Sequence, residues 1–396
     1  MVDKDGAKRI VLIGNDVAYL YRFRGPLMTS FLERGFQVTG ITPPGDGHFE
    51  RLVAEMGVTH IPWDITRSGR NPLSEFRKIS QLVAILRKVQ PSILLTYTVK
   101  PVIYGMIAGA IAGVPRRIAM ITGLGYAFMS GNDVARRLTS VVVRAAYSIA
   151  LRFAHVAIFQ NPDDLALFRS KGLLRADAET GLVNGSGVDM NEFAFSNPPT
   201  SGLTFLMVAR LLRDKGIREY AGAARLVKQI VPEARFQLVG GAYANPTAID
   251  PSELDGWVSE GVIEYLGHLR DPRSAYRDCN IFVLPSYGEG TPRTNLEAMA
   301  TGRAIITTDV PGCRETVVDG VNGLLVAARD SEALAAAMLT LARDPSTVVQ
   351  MGRASREMCQ SRFEVGVVTK SIIDLMEPPA KARPQPSQSE CAPAGS

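Results

Sequence analysis

Glu289 and Glu297 stand eight positions apart in PSYGEGTPRTNLEAMATG, residues 285–302, with a Thr-Pro pair between them. The run before them, IFVLPS, is short, apolar and rich in β-formers, so it reads as a buried strand. Thr291 suits a helix N-cap and Pro292 the first helical position. Leu296, Met299 and Ala300 follow at helical spacing, and Gly302 ends the helix. Glu289 therefore belongs to a strand-to-helix loop and Glu297 to the second helical turn. Between them lie the free N–H groups of a helix start, around Gly290 to Arg293. Such a start attracts anions, phosphate above all. A ligand with phosphate in its middle and a hydroxyl-rich group at each end fits this layout, which describes a nucleotide-sugar. Taken alone, a Glu-x7-Glu is also what two solvated glutamates near a helix start look like.

The surrounding elements repeat one plan. Apolar strand-like runs alternate with helical patterns: RIVLIG, QVTGIT, SILLTYT, RRIAMITG and VAIFQ in the first half, LTFLMVAR, FQLVGG, VIEYLGH, IFVLPS and AIITTD in the second. Strands alternating with helices imply parallel sheets covered on both faces. Two such series predict an α/β protein of two doubly wound, Rossmann-like domains, residues 1–190 and 203–376. NEFAFSNPPTSG, residues 191–202, is dense in turn formers and reads as the linker. The tail at 377–396 is rich in Pro, Ser and Ala without apolar period and reads as disordered. Ligands bind beyond the carboxyl ends of open parallel sheets, so two such domains facing each other predict a central cleft.

Composition narrows the class. Of 396 residues 46% are hydrophobic and 21% charged, as in soluble globular proteins. The four cysteines make no C-x-x-C pair, and the four histidines show no metal-ligand spacing, which points to a reducing compartment and no structural metal. No apolar signal core follows the N-terminal charges, and PVIYGMIAGAIAGVP is too short and Gly-rich to span a bilayer. It reads as a buried helix, and the protein is expected in the cytosol. Charge is lopsided: residues 1–190 carry 23 Lys and Arg against 15 Asp and Glu, or +8, while the remainder carries 21 against 24, or −3. A one-sided basic domain suggests an anionic partner. In DVARRLTSVVVRAAYSIALRFAH, Arg136, Arg137, Arg144 and Arg152 fall within about half of a helical wheel, with Val142, Val143, Ala146, Ile149 and Phe153 on the other side. This predicts an apolar face packed on a sheet, and is compatible with an arginine face against anionic headgroups.

Residues 285–326 resemble the donor-site signature of glycosyltransferase family 4, a family with the two-domain GT-B fold: Glu-x7-Glu, the intervening Pro, LEAMA, DVPGCRE and NGLLV all occur in register. ARLLRDKG, residues 209–216, lies where the family's R-x4-K motif belongs. More loosely, TYTVKPVIYG and ITGLGYAF in the first half resemble bacterial members that build lipid-linked saccharides. The resemblance implies that Arg210 and Lys215 hold the donor diphosphate, where fixed cations stabilise the charge of the departing nucleoside diphosphate. It implies that Gly290, Thr291 and Pro292 form the helix start cradling diphosphate and sugar, that Glu297 accepts from ribose hydroxyls, and that Glu289 sits beside the transferred sugar, positioning rather than attacking. It implies a retaining, metal-independent transferase with no cofactor, using a UDP-sugar and a polyprenyl-diphosphate-linked acceptor at the inner face of the cytoplasmic membrane. The only Asp-x-Asp, Asp3-Lys4-Asp5, precedes the first strand.

The first half departs from the family pattern. No histidine follows the SILLTYT or RRIAMITG strands, so Thr122 and Gly123, or Lys100, are candidates for the space of the usual family histidine. The first glycine loop is reduced to Gly14-Asn15-Asp16. Asn15, Arg22, Arg24, Lys100, Thr122 and Gly123 are the acceptor-side candidates, and the three cations among them suit an acceptor diphosphate or exposed salt bridges. Other readings are weaker. A transferase with a soluble or glycerolipid acceptor shares the donor motif. A dinucleotide-dependent oxidoreductase needs G-x-G-x-x-G opening a helix; GLGYAF has two of the three glycines and QLVGGAYA lacks the spacing. A non-catalytic nucleotide module has no need of both Glu289 and the Arg210–Lys215 pair. Nucleic acid suits the charge, but no binding motif for it is present.

Overall fold

The computed structural model describes residues 8–65, 72–124, 134–242 and 245–377. The first domain's sheet contains β1 (Lys8–Ile13), β2 (Phe36–Thr42), β3 (Thr59–Pro62), β4 (Ile93–Tyr97), β5 (Arg116–Ile121), β6 (Val156–Phe159) and β7 (Glu179–Leu182). These run in the order β3-β2-β1-β4-β5-β6-β7, every pair parallel. The second sheet contains β8 (Thr204–Val208), β9 (Arg235–Val239), β10 (Glu264–Tyr265), β11 (Ile281–Leu284), β12 (Ala304–Thr308) and β13 (Gly323–Val326), in the order β10-β9-β8-β11-β12-β13, again all parallel.

Strands read as continuous apolar runs because both faces of each sheet are covered. In β1, Ile10 and Leu12 enter one core while Val11 and Ile13 enter the core on the opposite face. The helix Val99–Ile111, rich in Gly and Ala, lies against the sheet as the sequence predicts: Gly105 and Gly109 face Thr96 and Leu94 of β4. Among the described residues, no helix is long and apolar enough to cross a membrane.

Three expectations change. The helix Val365–Met376, assigned by the sequence to the second domain, packs into the first. Val368, Ile372, Ile373 and Met376 share a core with Ile10 and Leu12 of β1. A π-turn at Cys359–Phe363 redirects the chain, and Val188 holds the crossing: its N–H donates to Phe363 O (2.9 Å) and its carbonyl accepts from Val365 N (3.0 Å). Apolar spacing marks a helix face for a core without naming which core, so it carries no domain address.

The helix Val134–Leu151 is turned differently from expectation. Val143 and Ala146 pack against the core, but Val142 and Ile149 face solvent, as do Val141 and, just beyond the helix, Phe153. Apolar residues occupy more than one side of its wheel, so periodicity alone did not select the inward face. Arg144 is half-buried and Arg152 exposed; the side chains of Arg136 and Arg137 lie outside the described residues, as do Asp3, Asp5 and the tail beyond Glu377.

The third change is at residue 291. The helix runs Arg293–Thr301 with Pro292 at its N-cap position, and no side chain caps it. The Thr291 hydroxyl instead donates to Gln160 O of the first domain (3.2 Å).

Candidate active site in the interdomain cleft

Each sheet has one place where its strand order reverses, between β1 and β4 in the first and between β8 and β11 in the second. Loops leaving these strands diverge to opposite faces and open a crevice at the carboxyl ends, the standard ligand position in such sheets. The two crevices face each other across one cavity of about 760 Å³. Its second-domain wall carries Arg210, Lys215, Glu289, Gly290, Thr291 and Arg293; its first-domain wall carries Asn15, Arg24, Tyr97, Thr98, Thr122 and Gly123. Pro292, Glu297, Arg22 and Lys100 do not line it.

Lys215 and Glu289 form an ion pair, with 12% and 16% of their side chains exposed. Ser286 Oγ donates to the same carboxylate oxygen of Glu289 (2.8 Å), and the Glu289 N–H donates to Pro311 O (3.0 Å). A buried pair with one added hydroxyl donor holds both groups still before any ligand arrives. Arg210 stands on the loop after β8 in the same wall. The loop between Arg210 and Lys215 is tied down through Asp214, whose carbonyl accepts from Tyr287 N (2.9 Å) and whose carboxylate accepts from Thr247 Oγ1 (3.0 Å).

Glu297 stands behind Arg293, which lines the cavity. It accepts from Tyr276 Oη (2.8 Å) and Arg293 Nε (3.0 Å), and 13% of its side chain is exposed. Burial raises its carboxyl above the ordinary range, with Arg293 and Tyr276 pulling the other way. Arg293 also donates to Gly187 O (3.2 Å) and stacks over Phe23 of the first domain (5.0 Å). It thus joins the donor-motif helix to the opposite wall.

The cleft is closed by backbone contact. Gly123 has φ +118°, and a Cβ there would sit 3.2 Å from Gly290 N. A Cβ on Gly290 would meet Gln160 Oε1 at 2.5 Å and Thr122 O at 2.6 Å. Asn161 Nδ2 reaches across to Gly290 O (3.0 Å) and Glu289 O (3.3 Å), while its Oδ1 caps the helix Pro162–Ser170 through Asp164 N (2.7 Å). Arg314 pairs with Asp163 from the other side (3.0 Å). Asp164, buried in this seam, has its carboxyl pushed up to about 6, mainly by burial and further by Asp163 and Glu315, against the hydrogen bond from Asn161. Sequence reasoning missed Asn161. QNPDD reads as a helix start, but nothing in that pattern names a partner 129 positions away.

On the first-domain wall, Arg24 is 3% exposed and lies over the Tyr97 ring (5.0 Å). Burial draws its guanidinium down to about 10; the Tyr97 phenol acts against this and the charge of Arg293 adds to it. Arg22 is exposed over Phe49, and Lys100 is turned toward Glu75, which opposes the lowering that burial imposes on the lysine. Thr122 and Gly123 thus take the place opposite Glu289–Gly290, and Lys100 does not.

Comparison with known proteins agrees with this architecture. Residues 202–344 match the model of Glycosyl transferases group 1, and residues 9–161 match that of Glycosyl transferase 4-like proteins. The N,N'-diacetylbacillosaminyl-diphospho-undecaprenol alpha-1,3-N-acetylgalactosaminyltransferase of Campylobacter jejuni is 27% identical over 383 residues, covering 93% of this chain and 98% of the relative. Among solved structures, a sucrose-phosphate synthase from Thermosynechococcus elongatus superposes with a TM-score of 0.77 at 21% identity, over 93% of this chain and 98% of that one. Anabaena Alr3699/HepE, solved in complex with UDP and glucose, superposes with a TM-score of 0.73 at 18% identity, over 92% and 98%. With both halves matched and two parallel-sheet domains facing one cleft, the chain belongs to the group 1, family-4-like glycosyltransferases of GT-B fold.

Proposed function

We propose that this glycosyltransferase is a retaining, metal-independent enzyme. It moves a hexose or N-acetylhexosamine from a UDP-sugar to a polyprenyl-diphosphate-linked saccharide in cell-surface polysaccharide or glycan assembly. The observation that carries the reading is the Lys215–Glu289 pair beside Arg210, at the start of an uncapped helix in the cleft. A donor diphosphate is a stronger partner for Lys215 than one carboxylate, because it brings more charge and more acceptor oxygens. On binding it takes over Lys215 and releases Glu289 to the hydroxyls of the transferred sugar. Arg210 and Lys215 then face the charge that grows as the sugar–phosphate bond breaks. Glu297, Gly290, Thr291 and Pro292 complete the donor side, Glu297 meeting ribose by exchanging one of its two present donors. The relative named for transfer to diphospho-undecaprenol, aligned over almost the whole chain, supports the acceptor class, and its alpha product supports retention from an alpha-linked donor.

Such an acceptor stays in the lipid. The reading therefore includes peripheral docking of the first domain on the inner face of the cytoplasmic membrane, supported by its +8 charge.

The test is a screen of UDP-sugars with a synthetic polyprenyl-diphosphate saccharide, with the product's anomeric configuration read by NMR. Turnover in excess EDTA, dependence on the lipid-linked acceptor and an alpha product are expected. Turnover that stops on chelation and returns with magnesium or manganese removes the metal-independent mechanism. Turnover with soluble sugars alone removes the acceptor class.

A further inference from the structure

The first-domain crevice is lined by several buried polar side chains. Asn15 Oδ1, Arg24 Nε, Tyr97 Oη and Thr98 Oγ1 are all buried, and none has a hydrogen-bond partner among the described residues. All four residues line the cavity, at the reversal point between β1 and β4. Buried polar atoms are normally satisfied, and a group of them converging on one space marks a site whose partner comes from outside.

The charge of the cluster identifies the partner's class. Arg24 is a buried guanidinium without an acidic partner among the described residues; the nearby Arg293, by contrast, is paired with Glu297. Removing a cation from water without a counter-ion is costly, so the site is built for an anion. The nearby Asp16 carboxylate is committed to Ala18 N (2.8 Å) and Tyr19 N (3.2 Å) at its own helix start. Beside Arg24, the helix Val99–Ile111 begins at Thr98, whose φ is +68° and whose side chain makes no capping bond; its first turn carries no acid. This helix start turns the positive end of its dipole toward the same space.

We infer that Arg24, Tyr97, Asn15 and the Thr98–Val99 helix start form a second oxyanion subsite, separate from the donor diphosphate's, which takes the diphosphate of the acceptor. The assignment rests on the proposed lipid-linked acceptor and deepens it. It also separates Arg24 from Arg22 and Lys100, which lie outside the cavity. Held here, the acceptor diphosphate is anchored on the first-domain wall, while its saccharide reaches the seam where Gly123 meets Gly290.

The test uses inorganic diphosphate as probe on the whole protein saturated with UDP, by isothermal titration. One additional diphosphate should bind, and Arg24→Met should weaken it at least 10-fold while leaving UDP affinity within about 2-fold. Arg24→Met matches the volume and removes an uncompensated buried charge, so its thermal midpoint should equal or exceed the parent's; Arg24→Lys should recover part of the binding. Competition between UDP and diphosphate for one site, or equal affinity in parent and Arg24→Met, overturns the assignment, and so does failure of diphosphate to bind. In turnover, Arg24→Met should raise KM at least 10-fold for a farnesyl-diphosphate saccharide. KM for the same saccharide on a neutral farnesyl ether should stay unchanged. Equal increases for both make Arg24 merely structural. If the parent turns over neither acceptor, the proposed reaction falls while the titration still decides the subsite.

Discussion

At the scale of residues, the cleft wall is organised around one shielded ion pair, Lys215–Glu289. Lys215 and Glu289 neutralise each other in a space that admits little water, so removing either leaves the other exposed to the full cost of burial. On the proposed reading, in which Glu289 holds the reacting sugar, Glu289→Gln should reduce transfer by at least about 100-fold. It should also lower the thermal midpoint, and UDP should restore that midpoint by giving Lys215 a new partner. Arg210→Ala or Lys215→Ala should cost roughly 2–4 kcal/mol of transition-state stabilisation, read as kcat/KM. Near-normal turnover in any of these folded variants removes the donor-side assignment. Asp164 gives a different signal. Its folded carboxyl titrates at about 6, above the ordinary carboxylate range. The stability that protonation contributes is complete below about pH 4 and lost as pH rises through about 6. Asp164→Asn should thus gain on the parent with rising pH, by on the order of 1–3 kcal/mol at pH 7.5 relative to pH 4. Parallel stability curves for variant and parent would place the titration elsewhere.

At the scale of elements, the strand-to-helix units carry both the fold and the site, and they differ in how openly the sequence shows them. The central strands β1, β4, β8, β11 and β12 announce themselves because each is apolar on two faces. The edge strands β3, β7 and β13 escaped the strand pattern: THIP, ETGL and GLLV are four residues each, and the first two are half polar. The donor loop was legible because its glycines, Pro and two glutamates lie within one stretch. What lies across the cleft was not. Thr291 looked like a cap and instead bonds Gln160, because a hydroxyl's choice between its own helix and a neighbouring chain is set by tertiary approach. The four unpartnered atoms of Asn15, Arg24, Tyr97 and Thr98 come from two segments more than 70 positions apart. The Gly123–Gly290 contact tests whether this closed arrangement is the working one. Gly290→Ala puts a methyl against Gln160 Oε1 and Thr122 O, an overpacking of about 1–3 kcal/mol that acts only when the domains meet. Turnover should fall about 5- to 100-fold while UDP binds nearly as before. Unchanged turnover would mean that the reaction proceeds in a more open cleft.

At the scale of the whole molecule, the two domains, on the proposed reading, divide the substrates between them. The second half is acidic overall and carries the donor motif; the first is basic and carries the candidate acceptor subsite. The helix Val365–Met376 returns to the first domain, so the chain crosses between the domains twice, and the two crossings are hydrogen-bonded to each other at Val188. On the membrane-docking reading, the structure changes which force should dominate. The outward side of the helix Val134–Leu151 and its extension carries Val141, Val142, Ile149 and Phe153, with Arg152 among them. Ile111 and Phe76, on the helices Val99–Ile111 and Pro72–Val89, are exposed as well. Apolar side chains of this size gain about 1.5–3 kcal/mol each when fully buried, against about 1 kcal/mol for each basic residue near an anionic surface. Charge then brings the domain to the bilayer, and the apolar side chains hold it there. Co-sedimentation with vesicles should show binding that needs anionic lipid at low salt but is only partly reversed at 1 M salt, where the Debye length is about 3 Å. Val142→Ser, Ile149→Asn and Phe153→Ser together should reduce vesicle binding roughly 10- to 100-fold, the scale of partial burial of three such side chains. Because these side chains face solvent, the triple variant should keep its thermal midpoint and its turnover of a short-chain, water-soluble diphosphate acceptor. Binding that vanishes entirely with salt and survives the triple substitution returns the interaction to charge alone. Binding equally well to neutral vesicles removes the electrostatic approach instead.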